Sequence, residues 1–293
     1  MSSAVDLTER PPSAEQTLSA PPAPQVDAES SGAAALLARR AGGLVWRISK
    51  PTIVIALFLL LWQFAPQLGL VDEVFLPPFS VVFQAFIDLV STGEMWTHLS
   101  ASLGRSLFGY AIALVVAIPV GVAIAWYKPV ADFLNPILEL FRNTAALALL
   151  PVFLLIMGIG ETSKVALVVY ASFFPILLNT ITGVRTVDPL LIKAAASLGL
   201  SPLRLFQKVI LPASIPAIFT GLRMAAASSI LVLLAAEMFG ARAGLGYLIT
   251  AAQQNFEIPN MYAGIVAIAL LGLAFNGVLL ALERRFSRWR VDA

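Results

Sequence analysis

Long apolar runs alternate along the chain with short polar breaks, and six of the runs are long enough to cross a bilayer. A helix needs about 20 consecutive apolar residues to span the hydrocarbon core. Runs of that order lie near Thr52–Leu70, Leu103–Trp126, Phe133–Met157, Thr162–Thr182, Ala213–Met238 and Met261–Leu282. The pattern predicts an all-α polytopic membrane protein with six transmembrane helices. Pro119 and Pro175 fall inside two of these runs and predict kinks, which bundles tolerate when neighbouring groups satisfy the freed carbonyl. Two stretches are amphipathic instead. In Val71–Ser102, Pro77-Pro78 breaks the chain, Ser80 is expected to cap a helix reaching Leu89, and Gly93 ends it. Asp72, Glu73, Asp88 and Glu94 make this stretch acidic and suit it to the outer interface. The second stretch, Val187–Met224, carries Lys193, Arg204 and Lys208. Asp188-Pro189 supplies a capping side chain and then proline at the first helical position. Leu190, Leu191, Ala194, Ala195 and Leu198 fall on one stripe. Gly199 and Ser201-Pro202 stop that helix and start another. Pro212 and Pro216 open the next apolar run. The second stretch reads as a helix–turn–helix on the membrane surface.

Composition agrees with this class. Of 293 residues, 59% are hydrophobic and 12% charged, against about 25% charged in soluble domains. Residues 1–33 are rich in Ser, Ala, Pro and acids, as in PPSAEQ and APPAPQ. Such a segment buries too little apolar surface to offset its ordering entropy, so it is expected to be disordered. It lacks the basic start and apolar stretch of a signal peptide. Residues 34–50 form either a short surface helix or basic flanking sequence. The domains expected are thus a cytoplasmic tail with its juxtamembrane segment at 1–50 and a transmembrane domain at 51–290. Basic residues are divided unequally. Arg39, Arg40, Arg47, Lys50, Lys128, Arg185, Lys193, Arg204, Lys208, Arg284, Arg285, Arg288 and Arg290 fall on one side, and only Arg105, Lys164 and Arg242 on the other. Basic residues favour the cytoplasmic side, so both termini and the helix–turn–helix are expected there.

Few residues offer chemistry. With no cysteine and one histidine, neither a disulfide framework, a thiolate metal site nor a multi-histidine site is available. His98 is expected in an exposed outer loop. No G-x-x-x-x-G-K-[ST] phosphate loop occurs, and Gly158-Gly160 and Gly244-Gly246 read as turns. A charge inside the bilayer costs about 2.5–3.5 kcal/mol on insertion scales, so each one needs a reason. Glu139 and Arg142 lie three apart and either pair with each other or leave Arg142, with Asn143 and Thr144, to line an anion path. Glu237 either ends the fifth span structurally or lies at the outer mouth of the path. Asn179 and Thr180 line the path or bond to neighbouring helices. Arg105 lies near a span end and is expected to snorkel to the interface, whereas Arg223 needs a longer reach or a partner. Gly221, Ala225 and Ser229 recur every four residues, as do Ala263 and Ala267. They serve close packing within the chain or contact with another subunit.

The spacing Ala194-Ala195, Gly199, Leu211-Pro212 resembles the EAA loop of binding-protein-dependent ABC importer permeases. That pattern is Glu-Ala-Ala, three residues, Gly, nine residues, Ile, one residue, Leu-Pro; here Lys193 stands for the Glu and Val209 for the Ile. Leu76-Pro77-Pro78, Gly158-Ile159-Gly160-Glu161, Phe173-Phe174-Pro175-Ile176-Leu177-Leu178-Asn179, Gly183-Val184-Arg185-Thr186-Val187-Asp188-Pro189, Ala236-Glu237-Met238 and Gly244-Leu245-Gly246-Tyr247 look like the sulfonate, taurine and nitrate branch. The resemblance spans roughly residues 50–290. It implies the type I importer (MetI-like) permease fold in a bacterial inner membrane. It also implies two ATP-binding-cassette ATPase subunits, a second permease subunit forming a homodimer, and a periplasmic or lipid-anchored solute-binding protein. ATP-Mg would sit on the ATPase, with no cofactor on this chain and no nucleic acid as partner. Lys193, Ala194, Ala195, Gly199, Leu211 and Pro212, within a coupling loop at 187–212, would pass ATPase closure to the spans. Arg142, Asn143, Thr144, Asn179 and Glu237 are the candidate pathway residues. The cargo implied is an aliphatic sulfonate or taurine, with nitrate or another small nutrient as the alternative. An ion-coupled secondary transporter would need paired buried acids, and none of the internal repeat such carriers often show is seen. An intramembrane enzyme would need a nucleophile and base that are not in evidence.

Overall fold

The computed structural model describes residues 52–286. The expected disordered tail, the juxtamembrane segment and the last basic residues lie outside these. The described residues fall in two units, 52–59 and 60–286. The first contributes only the start of helix α1, Thr52–Gln67. The second continues with α2 Phe79–Ser91, α3 Glu94–Trp126, α4 Lys128–Arg142, a 3-10 turn at Ala146–Leu149 and α5 Leu150–Met157. Then come α6 Glu161–Arg185, α7 Pro189–Ser197, α8 Pro202–Leu205, a π turn at Phe206–Ile210, α9 Leu211–Met238, α10 Leu245–Gln254 and α11 Ile258–Phe286.

Among the described residues four helical runs are long and apolar enough to cross a bilayer: α3, α6, the run Pro202–Met238 and α11. The expected first span is the shorter helix α1, and the expected third span is broken. There α4 and the segment Ala146–Met157 meet at 84°, giving a fifth span only if the pair counts as one. The cause of the break is local. Asn143 Nδ2 donates to Glu139 O at 2.8 Å and Thr144 Oγ1 to Leu140 O at 3.2 Å. These side chains take the carbonyls that the next turn would have used. Pro151, in the first turn of α5, has no N–H to bond back and suits a fresh start.

The second span begins nine residues earlier than its apolar run suggests, because Gly93 at φ +83° turns the chain from α2 directly into α3. Ser80 does not cap α2; it lies inside the helix, after Pro78. Gln63 reaches across instead: its Oε1 accepts from Ser80 N–H at 2.9 Å, and its Nε2 donates to Ser80 Oγ at 3.2 Å.

At the centre, α6 packs between α3 and α9. Lipid is as apolar as the side chains, so close fit rather than water expulsion holds membrane helices together. Gly221 shows how close. A Cβ there would lie 2.6 Å from Asn179 Cβ and 2.8 Å from Pro175 O on α6. Ala225 and Ser229, on the same stripe, are fully buried within the chain. Ala263 and Ala267 of α11 pack with Leu245 and Leu248 of α10 and with Ala85 and Leu89 of α2. Both small-residue stripes therefore serve packing within the chain. Tyr110 of α3 donates its hydroxyl to Leu222 O at 2.9 Å, a carbonyl in α9. Arg223 finds its partner on α11, with Nη1 2.7 Å from Glu283 Oε2.

Candidate functional site

The helix–turn–helix forms as its residues predict. Asp188 Oδ1 accepts from Leu190 N–H at 2.8 Å, and Pro189 opens α7. At the other end Gly199 takes φ +74°. Its N–H donates to Ala196 O at 2.9 Å, and that of Leu200 to Ala195 O at 3.3 Å. This paired closure of the last carbonyls requires a left-handed residue, which glycine supplies without strain. The π turn before α9 has a related cause: Pro212 has no N–H to offer Lys208 O, so the ladder slips by one residue.

The apolar stripe read from the sequence splits on folding. Ala195 is buried, and Ile192 packs with Leu205 and Phe206 against Val184, Val187 and Ile210. Trp126 and Phe206 meet edge to face at 5.2 Å. Leu190 and Leu198 point outward, 71% and 80% exposed, with Leu203 at 66%. The inward face of so short a helix has room for Ile192 and Ala195 alone. Lys193 and Ala194 share the exposed side, and Leu211 and Pro212 are half-buried where α9 begins.

Four of the five pathway candidates come together. Arg142, Asn143, Thr144 and Asn179 line one cavity of about 620 Å³, with Ser228 and Met224 on its α9 wall. Among the described residues of that lining, Arg142 is the one charged side chain. Its Nε lies 3.0 Å from Glu139 Oε2, so the helix pair also forms. Asn179 Nδ2 donates to Pro175 O at 2.8 Å. The break between α4 and α5 is what turns Arg142–Thr144 toward this cavity.

Glu237 lies elsewhere, in a buried polar knot. It is 1% exposed. Ser102 Oγ donates to its carboxylate at 2.8 Å, Arg105 Nη1 to Oε1 at 2.7 Å and Gly246 N–H to Oε2 at 3.0 Å. Arg105 Nη1 also donates to Ala243 O at 2.7 Å, and its Nη2 to Glu161 Oε1 at 2.7 Å. Arg105 is therefore buried between two carboxylates and does not snorkel. A knot inside the bundle offers shorter and better partners than the interface does. Gly244, at φ +132°, brings the loop so near that a Cβ would meet the Glu237 carboxylate. Its N–H donates to His98 Nδ1 at 3.2 Å. His98, expected in an exposed loop, is buried, because α3 starts at Glu94 and carries it into the bundle. Lys164 joins from α6, its Nζ donating to Gly160 O at 2.9 Å. His98, Ser102 and Arg105 follow a helical i, i+4, i+7 spacing, a polar stripe that could have been read had the helix been started at Glu94.

A model of the family described as binding-protein-dependent transport system inner membrane component matches residues 117–289. The chain belongs to that family. It is a non-catalytic membrane subunit, the permease of a binding-protein-dependent ABC importer, and it crosses the membrane several times. The family works with ATPase subunits and a binding protein. The chain is 34% identical over 253 residues to the taurine transport system permease protein TauC of Escherichia coli K12, covering 83% of this chain and 92% of that one. It is 32% identical over 252 residues to the putative aliphatic sulfonates transport permease protein SsuC of Bacillus subtilis 168, covering 86% and 90%. Among solved structures, an inward-facing form of the MetNI methionine ABC transporter matches with a TM-score of 0.53 at 18% identity, over 64% of this chain and 93% of that one. The fold is therefore that of the methionine importer's permease type.

Proposed function

We propose that this permease carries a small organic anion, an aliphatic sulfonate or taurine, into the cytoplasm after delivery by a solute-binding protein. The observation that carries this reading is the cavity of about 620 Å³ with Arg142 as its one charged wall and Asn143, Thr144 and Asn179 beside it. A sulfonate needs a cation and several hydrogen-bond donors, and the amide of Asn179 and the hydroxyl of Thr144 suit its oxygens. The 34% and 32% identity to taurine and sulfonate permeases supports the same class.

The working unit would be two copies of this chain, two ATPases that bind ATP-Mg, and the binding protein. The loop at 187–212 would dock into a groove of the ATPase through α7 and the turn at Gly199, with Leu211 and Pro212 anchoring α9 to it. The excess of basic residues around this loop supports a cytoplasmic placement and both termini on that side. In that arrangement α1 is the first of six membrane segments and the bent α4–α5 pair the third. Gln63 and Trp62, which hold the start of α2, would then lie at the outer end of the first.

The test is to purify the full chain assembled with its ATPase and binding protein and follow uptake into vesicles. ATP-dependent uptake of taurine or an alkanesulfonate, with nitrate ignored, is the expected result. Uptake of nitrate alone would shift the substrate, and uptake without ATP would overturn the importer reading.

A further inference from the structure

The loop at 187–212 is cationic. Of the charged residues in 187–212, three are basic, Lys193, Arg204 and Lys208, and one is acidic, Asp188. The acid is spent within the fold, capping α7 through Leu190 N–H at 2.8 Å. The three basic side chains are exposed, and none takes part in the ion pairs found among the described residues. They lie in the two helices and turn whose outward face also exposes Leu190, Leu198 and Leu203. Exposed leucine together with exposed charge of one sign matches a partner surface that is partly apolar and opposite in sign.

We infer that the ATPase groove receiving this loop is rimmed by carboxylates, one of them opposite Lys193, so that this permease selects an acidic-grooved ATPase partner. The inference rests on the docking role proposed above. A glutamate at position 193 would call for a basic groove; Lys193 rejects such a subunit by like-charge contact and accepts one with Asp or Glu there. Specificity of this kind arises from the repulsive element as much as from the attractive one. Rim charges act mainly on encounter rate and salt dependence, and at moderate salt an exposed pair is partly screened. Contact of the same basic face with anionic lipid headgroups is the other outcome that the experiment distinguishes.

The experiment uses the full chain in nanodiscs and, as probe, the ATPase subunit that it recruits. Binding is measured at low and high NaCl for the wild type, Lys193→Gln and Lys193→Glu. The wild type should bind more weakly as salt rises. Lys193→Gln should bind a few-fold more weakly at low salt, and Lys193→Glu about tenfold more weakly, with an inverted or flat salt response. Replacing the ATPase carboxylate that crosslinks near position 193 by Lys should restore Lys193→Glu. Unchanged affinity in Lys193→Glu overturns the inference. Unchanged affinity together with a lost response to anionic lipid overturns it and assigns the charge to the membrane surface. Failure of the wild type to bind any ATPase would strike the docking role itself, a distinct result. Position 193 is exposed, so unaltered thermal unfolding of both variants checks that folding is intact.

Discussion

The two ends of the bundle treat charge in opposite ways. At the end formed by the starts of α3 and α6 and the end of α9, Arg105 and Lys164 face Glu161 and Glu237, and every one of these is bonded within the chain. At the other end, Lys193, Arg204 and Lys208 stand exposed and take part in none of the ion pairs found among the described residues. A closed network satisfied by its own fold ties spans together, since a buried charge left alone is costly. Unpaired charge beside exposed leucine instead leaves a surface that a second molecule completes. The first end reads as an anchor, and the second is the surface proposed above to dock.

Substitutions should separate the two. The largest effect on folding is expected at the anchor. Glu237→Ala leaves Arg105 buried with one carboxylate fewer and strips Ser102 and Gly246 of their acceptor. Breaking one partner of a buried pair costs about 3–5 kcal/mol. Thermal unfolding in detergent should show a marked loss of stability or of folded yield. A Glu237→Ala protein as stable as the wild type would end the anchor reading. Next comes helix fit: Gly221→Val drives a side chain into Asn179 and Pro175 O, and overpacking of this kind costs about 1–3 kcal/mol. A lower unfolding temperature checks it.

At the docking face the order reverses, with function lost and folding kept. Gly199→Asp must hold a side chain at φ +74°, which costs about 1–2 kcal/mol. Among the described residues nothing lies within 4 Å of the new Cβ. The variant should express normally yet lose ATP-driven uptake. Normal uptake would show that the turn does not dock. The smallest effect on stability is expected at the cavity. Arg142→Ala removes a half-exposed helix pair with Glu139 that is worth about 0.2–0.5 kcal/mol. Its unfolding should barely move, while the concentration of taurine or sulfonate needed for half-maximal uptake should rise about tenfold. An unchanged concentration dependence would remove Arg142 from the pathway.

The helix–turn–helix at 187–212 was largely legible in the sequence because its signals are local. Asp188-Pro189, Gly199 and Pro212 each act within one helical turn, and the structure uses each where the spacing put it. The anchor was not legible, because its partners are far apart in the chain. Ser102 and Arg105 meet Glu237 across 135 and 132 positions. Arg105 alone looks like a span-end cation, and His98 alone like a loop residue. Arg223 and Glu283 were hidden in the same way. The break in the third span was masked for another reason: apolar residues lie on both sides of it, and the turn is made by two short polar side chains, Asn143 and Thr144, capturing carbonyls. Hydropathy reports where a run lies and is silent about whether it is straight.

The docking claim is tested most directly by crosslinking. The chain has no cysteine, so a single introduced thiol reports one place. Ser197→Cys puts it on the exposed side of α7, and Gln254→Cys puts it at the exposed C-terminal end of α10. The assembled complex is treated with a short thiol-to-amine crosslinker with and without ATP. The account predicts a permease–ATPase adduct from position 197, changing in yield with ATP, and none from position 254. An ATPase adduct from position 254, or none from 197 in an assembly that hydrolyses ATP, would contradict it.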